Sequence, residues 1–238
     1  MSDADHLSWR DGDVPISVAY DDAYFAWSDG AAETQTVFVA GNNLPARLST
    51  AGRVRVAELG FGTGLNCAVT VAAWRTARAT HADRGDGASL PSVTYTSFEI
   101  APLSESAMQR SLRRWPGRVD HLAPLFMNWP PESDRLSVSL TDGFDVDIVI
   151  GDAAATLASW DGVADCWYLD GFSPAKNADL WSAELMKTVF AHTAPGGSFS
   201  TYTAAGWVRR NLQAAGFEVE RVPGFDRKRE RLQGMRPL

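Results

Sequence analysis

From residue 54 onward, short apolar runs alternate with longer stretches in which apolar residues recur every three or four positions. The runs read as buried strands and the periodic stretches as helices. Residues 54–59 give the first strand, ending in Gly60, and 65–78 the Ala-rich helix after it. A polar loop over 81–91 leads to a strand at 93–98 that closes on Glu99. The stretch 102–115 predicts a helix, with Pro at its start and Pro116 just past its end. Residues 128–135 are a Pro-rich loop. Apolar runs at 136–140 and 144–150 flank Thr141-Asp142-Gly143, a hairpin signal. A short helix over 153–160, a strand over 166–169 ending at Asp170, and a helix over 179–192 follow. After the turn Pro195-Gly196-Gly197 come a strand at 198–203, a helix at 204–215 stopped by Gly216, and a strand pair at 217–222 and 230–235.

The first 35 residues break this rhythm. They are acidic, with Tyr20, Tyr24, Phe25 and Trp27 interleaved, and read as short strands with a hairpin turn at Ser28-Asp29-Gly30. Residues 36–40 read as an apolar strand and 44–48 as a helical turn. The repeated strand–helix units predict an α/β fold, with helices on both faces of a mostly parallel sheet. Residues 1–50 are then a β-rich extension packed on one catalytic domain, 51–238, which carries the hairpin as an insertion. Ligands in such sheets bind beyond the carboxyl ends of the strands. That narrows the search to 60–64, Glu99, Gly151-Asp152, 170–177 and 201–205.

Composition changes this picture little. Hydrophobic residues at 45%, with nine Trp and eleven Phe, exclude a disordered chain and allow a sizeable core. A net charge of -7 excludes a generally basic nucleic-acid binder, so any RNA contact needs a local patch. Two cysteines, Cys67 and Cys166, sit in apolar runs. They form neither a disulfide framework nor a zinc site and suit a reducing compartment. The start, Met1-Ser-Asp-Ala-Asp-His, lacks a signal peptide's basic and apolar regions, and no run of about 18 apolar residues occurs. The expectation is a cytoplasmic protein with no metal and no membrane contact.

The sharpest chemical signal is Glu58-Leu59-Gly60-Phe61-Gly62-Thr63-Gly64, between a strand and a helix. Glycines let a backbone turn tightly and approach a ligand. The dinucleotide fingerprint would place a small residue where Leu65 stands, and Glu58 sits poorly beside a pyrophosphate. A carboxylate there suits a cationic or zwitterionic ligand such as S-adenosylmethionine, with its amino group and sulfonium. Phe61, Thr63 and Asn66 complete the loop. Glu99 is placed to accept two ribose hydroxyls, and Asp152, beside Ala153, the adenine amino hydrogen. Taken alone, Asp152 reads equally as a helix N-cap. Together, acidic residues at successive strand ends make a class I methyltransferase the strong reading.

A second constellation, Asp170-Gly171-Phe172-Ser173-Pro174-Ala175-Lys176-Asn177, follows the fourth core strand. Asp170, Phe172 and Lys176 there suit a pocket for an amine or a base; the plainer reading is a loop that caps the next helix. This run resembles the methyltransferase domain of the MnmC family, bifunctional enzymes of tRNA wobble-uridine modification. The likeness extends over Asp22-Ala23-Tyr24-Phe25, Gly41-Asn42, Leu44-Pro45, the glycine loop through Leu65-Asn66, Thr203-Ala204-Ala205-Gly206, Gly216-Phe217 and Pro223-Gly224-Phe225-Asp226-Arg227-Lys228-Arg229-Glu230. The Asp-Gly-Phe-Ser-Pro-Ala-Lys-Asn run and the Lys-Arg-Glu tail are its specific parts.

The resemblance implies a Rossmann-like, seven-stranded class I fold. It implies N-methylation of 5-aminomethyl-2-thiouridine to 5-methylaminomethyl-2-thiouridine in tRNA, with S-adenosylmethionine as methyl donor. Family members carry an FAD-dependent oxidase that prepares the amine; no flavin domain is legible here, so a stand-alone form is expected, with either a separate FAD-dependent oxidase or another route to the amine. Arg231, Trp207 and the segment 31–34 depart from the family pattern.

Asp170 then orients the target amine and takes its proton second, since an ordinary aspartate is a weak base for an ammonium of pKa ~10. Asp22 and Glu33 are the next candidates. For RNA, the stretch 207–238 holds eight basic against four acidic residues, net +4, leaving -11 elsewhere. Arg209, Arg210, Arg227, Lys228 and Arg229 are the expected phosphate contacts, and Arg110, Arg113 and Arg114 extend the patch or face water. Alternatives stay open: methylation of a small-molecule amine, a non-catalytic partner of an oxidase, or an aminopropyltransferase, which would need more carboxylates near Asp170.

Overall fold

The computed structural model describes residues 7–10, 12–50, 52–84 and 90–238. The N-terminal acidic residues Asp3, Asp5 and Asp11, and part of the expected 81–91 loop, lie outside them.

The chain opens with a small antiparallel sheet, β1 (Leu7–Arg10), β2 (Val14–Ser17) and β3 (Asp22–Ala23). Its hairpin turns at Gly12 and Asp13, both with positive φ, and not at Ser28-Asp29-Gly30. Asp29 instead caps α1 (Gly30–Thr34), its side chain accepting from the Ala32 N–H. The segment expected as a strand, 36–40, is a π-helical turn continuing α1, Gln35–Ala40. Its run Val37-Phe38-Val39 is wholly buried, and a short apolar run cannot by itself distinguish a buried helix from a strand. Helix α2 (Leu44–Thr50) follows.

The remaining elements are β4 (Arg53–Leu59), α3 (Leu65–Arg84), β5 (Ser92–Glu99), α4 (Glu105–Leu112), α5 (Arg118–His121), α6 (Ala123–Phe126), β6 (Arg135–Thr141) and β7 (Phe144–Ile150). Then come α7 (Ala153–Ala158), β8 (Ala164–Leu169), α8 (Ala183–Ala191), β9 (Thr193–Thr201), α9 (Gly206–Ala215), β10 (Glu218–Pro223) and β11 (Glu230–Met235). Helix α3 runs six residues past its apolar pattern, to Arg84. The 102–115 helix begins only at Glu105, where the Ser104 side chain accepts from the Ala107 N–H. The 179–192 helix is broken: a 3-10 turn, Asp179–Trp181, precedes α8. The Gly196-Gly197 turn lies within β9, at a register shift against β8.

Eight strands form the main sheet in the order β10-β11-β9-β8-β4-β5-β7-β6. Strands β7, β5, β4, β8 and β9 pair in parallel; β6 and β11 run against them, and β10, antiparallel to β11, runs with them again. The expected seven strands are present, and the inserted hairpin adds β6 as the eighth. Alternation along the strands builds two cores. Val56, Tyr95 and Tyr168 face α3 and the N-terminal elements, which add Ile16, Phe25 and Phe38. Ala57, Phe98, Trp167 and Leu169 face α7–α9 with Leu185, Val189 and Leu212. The order changes direction where β4 meets β8, so the switch-point crevice opens above their carboxyl ends. Among the described residues no helix is long and apolar enough to cross a membrane.

Candidate active site

Three neighbouring strands build the floor of the site. Glu58 on β4 stands in register with Ser97 on β5 and Tyr168 on β8. Period-two alternation puts these three on one face, with Glu99 and Asp170 one pleat further toward the strand ends.

Glu58 is fully buried. Its Oε1 accepts from Asn66 Nδ2 and its Oε2 from Ser97 Oγ, both at 2.8 Å. The same Asn66 amide donates to Asp170 Oδ2 at 2.7 Å, so its two hydrogens bridge two carboxylates. Thr34 Oγ1 donates to Asn66 Oδ1 at 2.7 Å, and the Gly171 N–H to Asp170 Oδ1 at 2.9 Å. Burial pushes Glu58 up to about 8, opposed by the Asn66 bond and aided by the charge of Asp170. Burial likewise lifts Asp170 to about 7, with the Asn66 bond opposing and the Glu33 charge adding.

Above this floor the glycine loop turns on left-handed backbone: φ is 87° at Gly60, 53° at Gly62 and 78° at Gly64. The Gly62 N–H donates to Glu99 Oε2 and the Ala101 N–H to Glu99 Oε1, at 2.9 and 2.8 Å. Each carboxylate oxygen keeps a second lone pair. Asp152 Oδ1 caps α7 by accepting from the Ala154 and Ala155 N–H groups. The helix-cap role of Asp152 is therefore present.

A cavity of about 1360 Å³ joins these groups, from Gly60, Phe61, Gly62, Thr63 and Asn66 past Glu99, Asp152 and Ala153 to Asp170, Gly171 and Phe172. Its far wall comes from the N-terminal segment and the β10–β11 loop. Phe172 stacks on Tyr20 at 4.6 Å and meets Tyr24 edge-on at 5.0 Å. Asp22 Oδ2 accepts from the Ser173 N–H at 2.8 Å, and Tyr202 donates to the Gly171 carbonyl at 2.7 Å. Glu33, buried in α1, accepts from the Ala26 N–H at 3.0 Å and from Lys228 Nζ at 2.8 Å.

Several expected site residues lie elsewhere. Glu58 does not line the cavity and reaches it only through Asn66. Gly64 does not line it either; a side chain there would meet Leu122 at 3.0 Å, so this glycine serves helix packing. Lys176 is exposed, outside the lining, and held by the Asp21 carbonyl and carboxylate. Lys228, expected on phosphate, is turned into the cavity against Glu33.

The other tail cations are largely spoken for. Arg231 is buried on Ser200, Arg236 holds the carbonyls of Phe190 and Thr193, and Arg221 pairs with Glu230. Arg209 is half-buried, while Arg210, Arg227 and Arg229 are exposed. Arg110 pairs with Asp13, and Arg114 donates to the Trp27 carbonyl. The sequence did not single out Tyr20, Tyr202 and Phe225 as cavity residues, and Arg227, expected on phosphate, also lines the cavity. The Tyr20/Tyr24 pair flanking Asp22 was the available signal.

A family model described as S-adenosyl-L-methionine-dependent methyltransferase matches residues 118–237. The tRNA 5-methylaminomethyl-2-thiouridine biosynthesis bifunctional protein MnmC of Caulobacter sp. (strain K31) is 42% identical over 241 residues, covering 100% of this chain and 39% of that protein. The protein of the same name from Chromohalobacter salexigens is 41% identical, covering 96% and 32%. The chain thus spans about two fifths or less of the curated relatives it matches. The crystal structure of MNMC2 from Aquifex aeolicus superimposes with a TM-score of 0.72 at 20% identity, over 94% of this chain and 68% of that one. That likeness shows the class I methyltransferase fold.

Proposed function

We propose an acceptor for this chain, which belongs to the S-adenosyl-L-methionine-dependent methyltransferase family: it methylates the amine of 5-aminomethyl-2-thiouridine at the tRNA wobble position, giving 5-methylaminomethyl-2-thiouridine. The observation that carries the reading is Asp170 at the end of β8, facing the cavity beside the Phe172, Tyr20 and Tyr24 rings. A carboxylate there suits an amine, and flat apolar faces suit a pyrimidine. The relatives' names supply the nucleoside.

The residues present fit S-adenosylmethionine. Gly62 leaves a cradle that a Cβ would fill, 3.1 Å from the Tyr24 ring. The acidic groups Glu99, Asp152 and Asp170 line the same cavity, and the Gly62 N–H donates to Glu99. The loop 60–63, Asn66, Glu99, Asp152, Ala153 and Gly171 would hold the cofactor. When bound, it supplies an electrophilic methyl on a cationic sulfonium.

The acceptor must present a lone pair, yet an alkylamine has a pKa near 10.4. Asp170 orients the ammonium and takes up its proton on the way to water. Its upward shift to about 7 makes it a better proton acceptor than an ordinary aspartate. Positioning supplies the larger part of the rate. Phe172 stacks on the uracil ring. An FAD-dependent oxidase activity provides the free amine, and the work is done on cytoplasmic tRNA.

A small-molecule amine is the second reading, favoured by the internal pairing of so many tail cations. The deciding test incubates the purified protein and S-adenosylmethionine with tRNA bearing 5-aminomethyl-2-thiouridine, followed by nucleoside mass spectrometry. A gain of one methyl on that nucleoside is expected. Unchanged tRNA would overturn the assignment.

A further inference from the structure

Of the two cations that line the cavity among the described residues, Arg227 and Lys228, Lys228 is tied into its wall. It comes from the β10–β11 loop and reaches α1, its Nζ 2.8 Å from Glu33 Oε1 and 3.9 Å from the centroid of the Tyr202 ring. Tyr202 in turn donates to the carbonyl next to Asp170, at Gly171. An ammonium thus rests on a carboxylate and an aromatic face in the wall of the cavity that Asp170 also lines.

The charges around it set a problem for methyl transfer. Asp170 after β8, Glu33 on α1, Asp22 on β3, Glu99 at the end of β5, Asp152 before α7 and Asp179 before α8 line the cavity, with Asp226 and Arg227 on the same loop as Lys228, and Glu58 lies behind Asn66. Carboxylates alone stabilise an acceptor as its ammonium ion, which has no lone pair. A neighbouring cation does the opposite: it favours loss of the proton, as in lysines activated beside a second positive group.

We propose that Lys228 is a positioning residue for proton balance: paired with Glu33 over Tyr202, it cancels enough negative charge beside Asp170 to leave the acceptor as a neutral amine. The proposal rests on the reading that the acceptor is an alkylamine. The same two charges act oppositely on Asp170, Glu33 raising it and Lys228 lowering it.

Single-turnover methylation of tRNA bearing the aminomethyl nucleoside, followed from about pH 6 to about pH 10, tests this. The wild-type rate should climb as the acceptor loses its proton. In Lys228→Met the midpoint should move up by about one pH unit, with the rate recovering at high pH. Lys228→Arg should keep the wild-type midpoint, and Glu33→Gln should move it down. A uniform loss at every pH, with the midpoint fixed, would reduce Lys228 to a tether for its loop and overturn the proposal. A second measurement needs no substrate: titration of the Asp170 carboxyl by carbon NMR in selectively labelled protein. Lys228→Met should shift it up and Glu33→Gln down, with thermal melts as the folding control. An unmoved Asp170 overturns the charge coupling whatever the acceptor. Shifts of the stated sign in a protein that leaves the tRNA unchanged support the coupling and reject only that acceptor.

Discussion

In the proposed reaction, Asp170 is the side chain on which the chemistry of the cavity turns. It emerges where β8 ends, shares an amide with Glu58, and faces the aromatic wall. Asp170→Asn keeps the shape and an acceptor oxygen for Asn66 but removes the charge that orients an ammonium. Methylation should fall by a factor on the order of 10²–10⁴ while the melt holds or rises, since Asn carries no buried charge; near-wild-type turnover in single-turnover assays would move the role to Asp22 or Glu33. The raised carboxyl also fixes a pH dependence. With a folded value of about 7 against an ordinary 3.8, the folded protein holds a proton that the unfolded chain has released. Stability therefore falls as pH rises from about 4 to about 7, and Glu58, lifted to about 8, extends the decline. A bound cation beside Asp170 favours the ionised form. S-adenosylmethionine affinity should accordingly increase with pH across that window, with protons released on binding. Calorimetry in two buffers of different ionisation enthalpy reads this directly, and proton uptake would contradict it.

At the scale of elements, the glycine loop and the α7 cap are where backbone geometry and ligand binding meet. Gly62→Val puts a β-branched residue at φ 53° and its Cβ 3.1 Å from Tyr24, so cofactor binding should disappear in calorimetry. Asp152 separates two roles. Asp152→Ala removes the α7 cap and should cost about 1 kcal/mol of stability. Asp152→Asn keeps a capping oxygen, so its melt should hold while cofactor binding weakens; unchanged binding would leave Asp152 a cap alone. These elements were legible in the sequence because strand, glycine loop and helix follow one another with clear periods. The Val37-Phe38-Val39 segment was not, since burial on every side erases the alternation that marks a strand or helix. Nor was the start of α4, where Pro102 suggested an earlier boundary than the Ser104 cap provides. The site was legible at the strand ends, Glu99, Asp152 and Asp170. It was not legible in its pairings: only the fold places Lys228 against Glu33 and Lys176 against Asp21, across 195 and 155 residues.

Across the whole molecule, the apparent basic tail resolves into internal work and a small remainder. Four of its eight cations tie the sheet edge or the cavity wall: Arg221, Lys228, Arg231 and Arg236. Arg110 and Arg114, on and just past α4, hold the N-terminal segment through Asp13 and the Trp27 carbonyl. What faces solvent is Arg210 on α9 with Arg227 and Arg229 on the β10–β11 loop, against a surface that is acidic elsewhere. An RNA phosphate face built from so few charges should be weakly salt-dependent by the standard of basic domains, and Arg227, which lines the cavity, would place it next to the proposed acceptor site. Replacing Arg210, Arg227 and Arg229 together by Ala should weaken tRNA binding. It should also flatten the plot of log affinity against log salt by about one for each phosphate that is no longer neutralised. Cofactor affinity, which the proposed site assigns to the strand-end carboxylates and the glycine loop, should hardly move. Lys228→Met, by contrast, should leave the salt slope where it was, because its charge is already paired with Glu33 inside the cavity. Filter binding over a salt series decides the matter. A slope unchanged by the triple replacement, or one that drops with Lys228 instead, would place the RNA on a different face of the molecule.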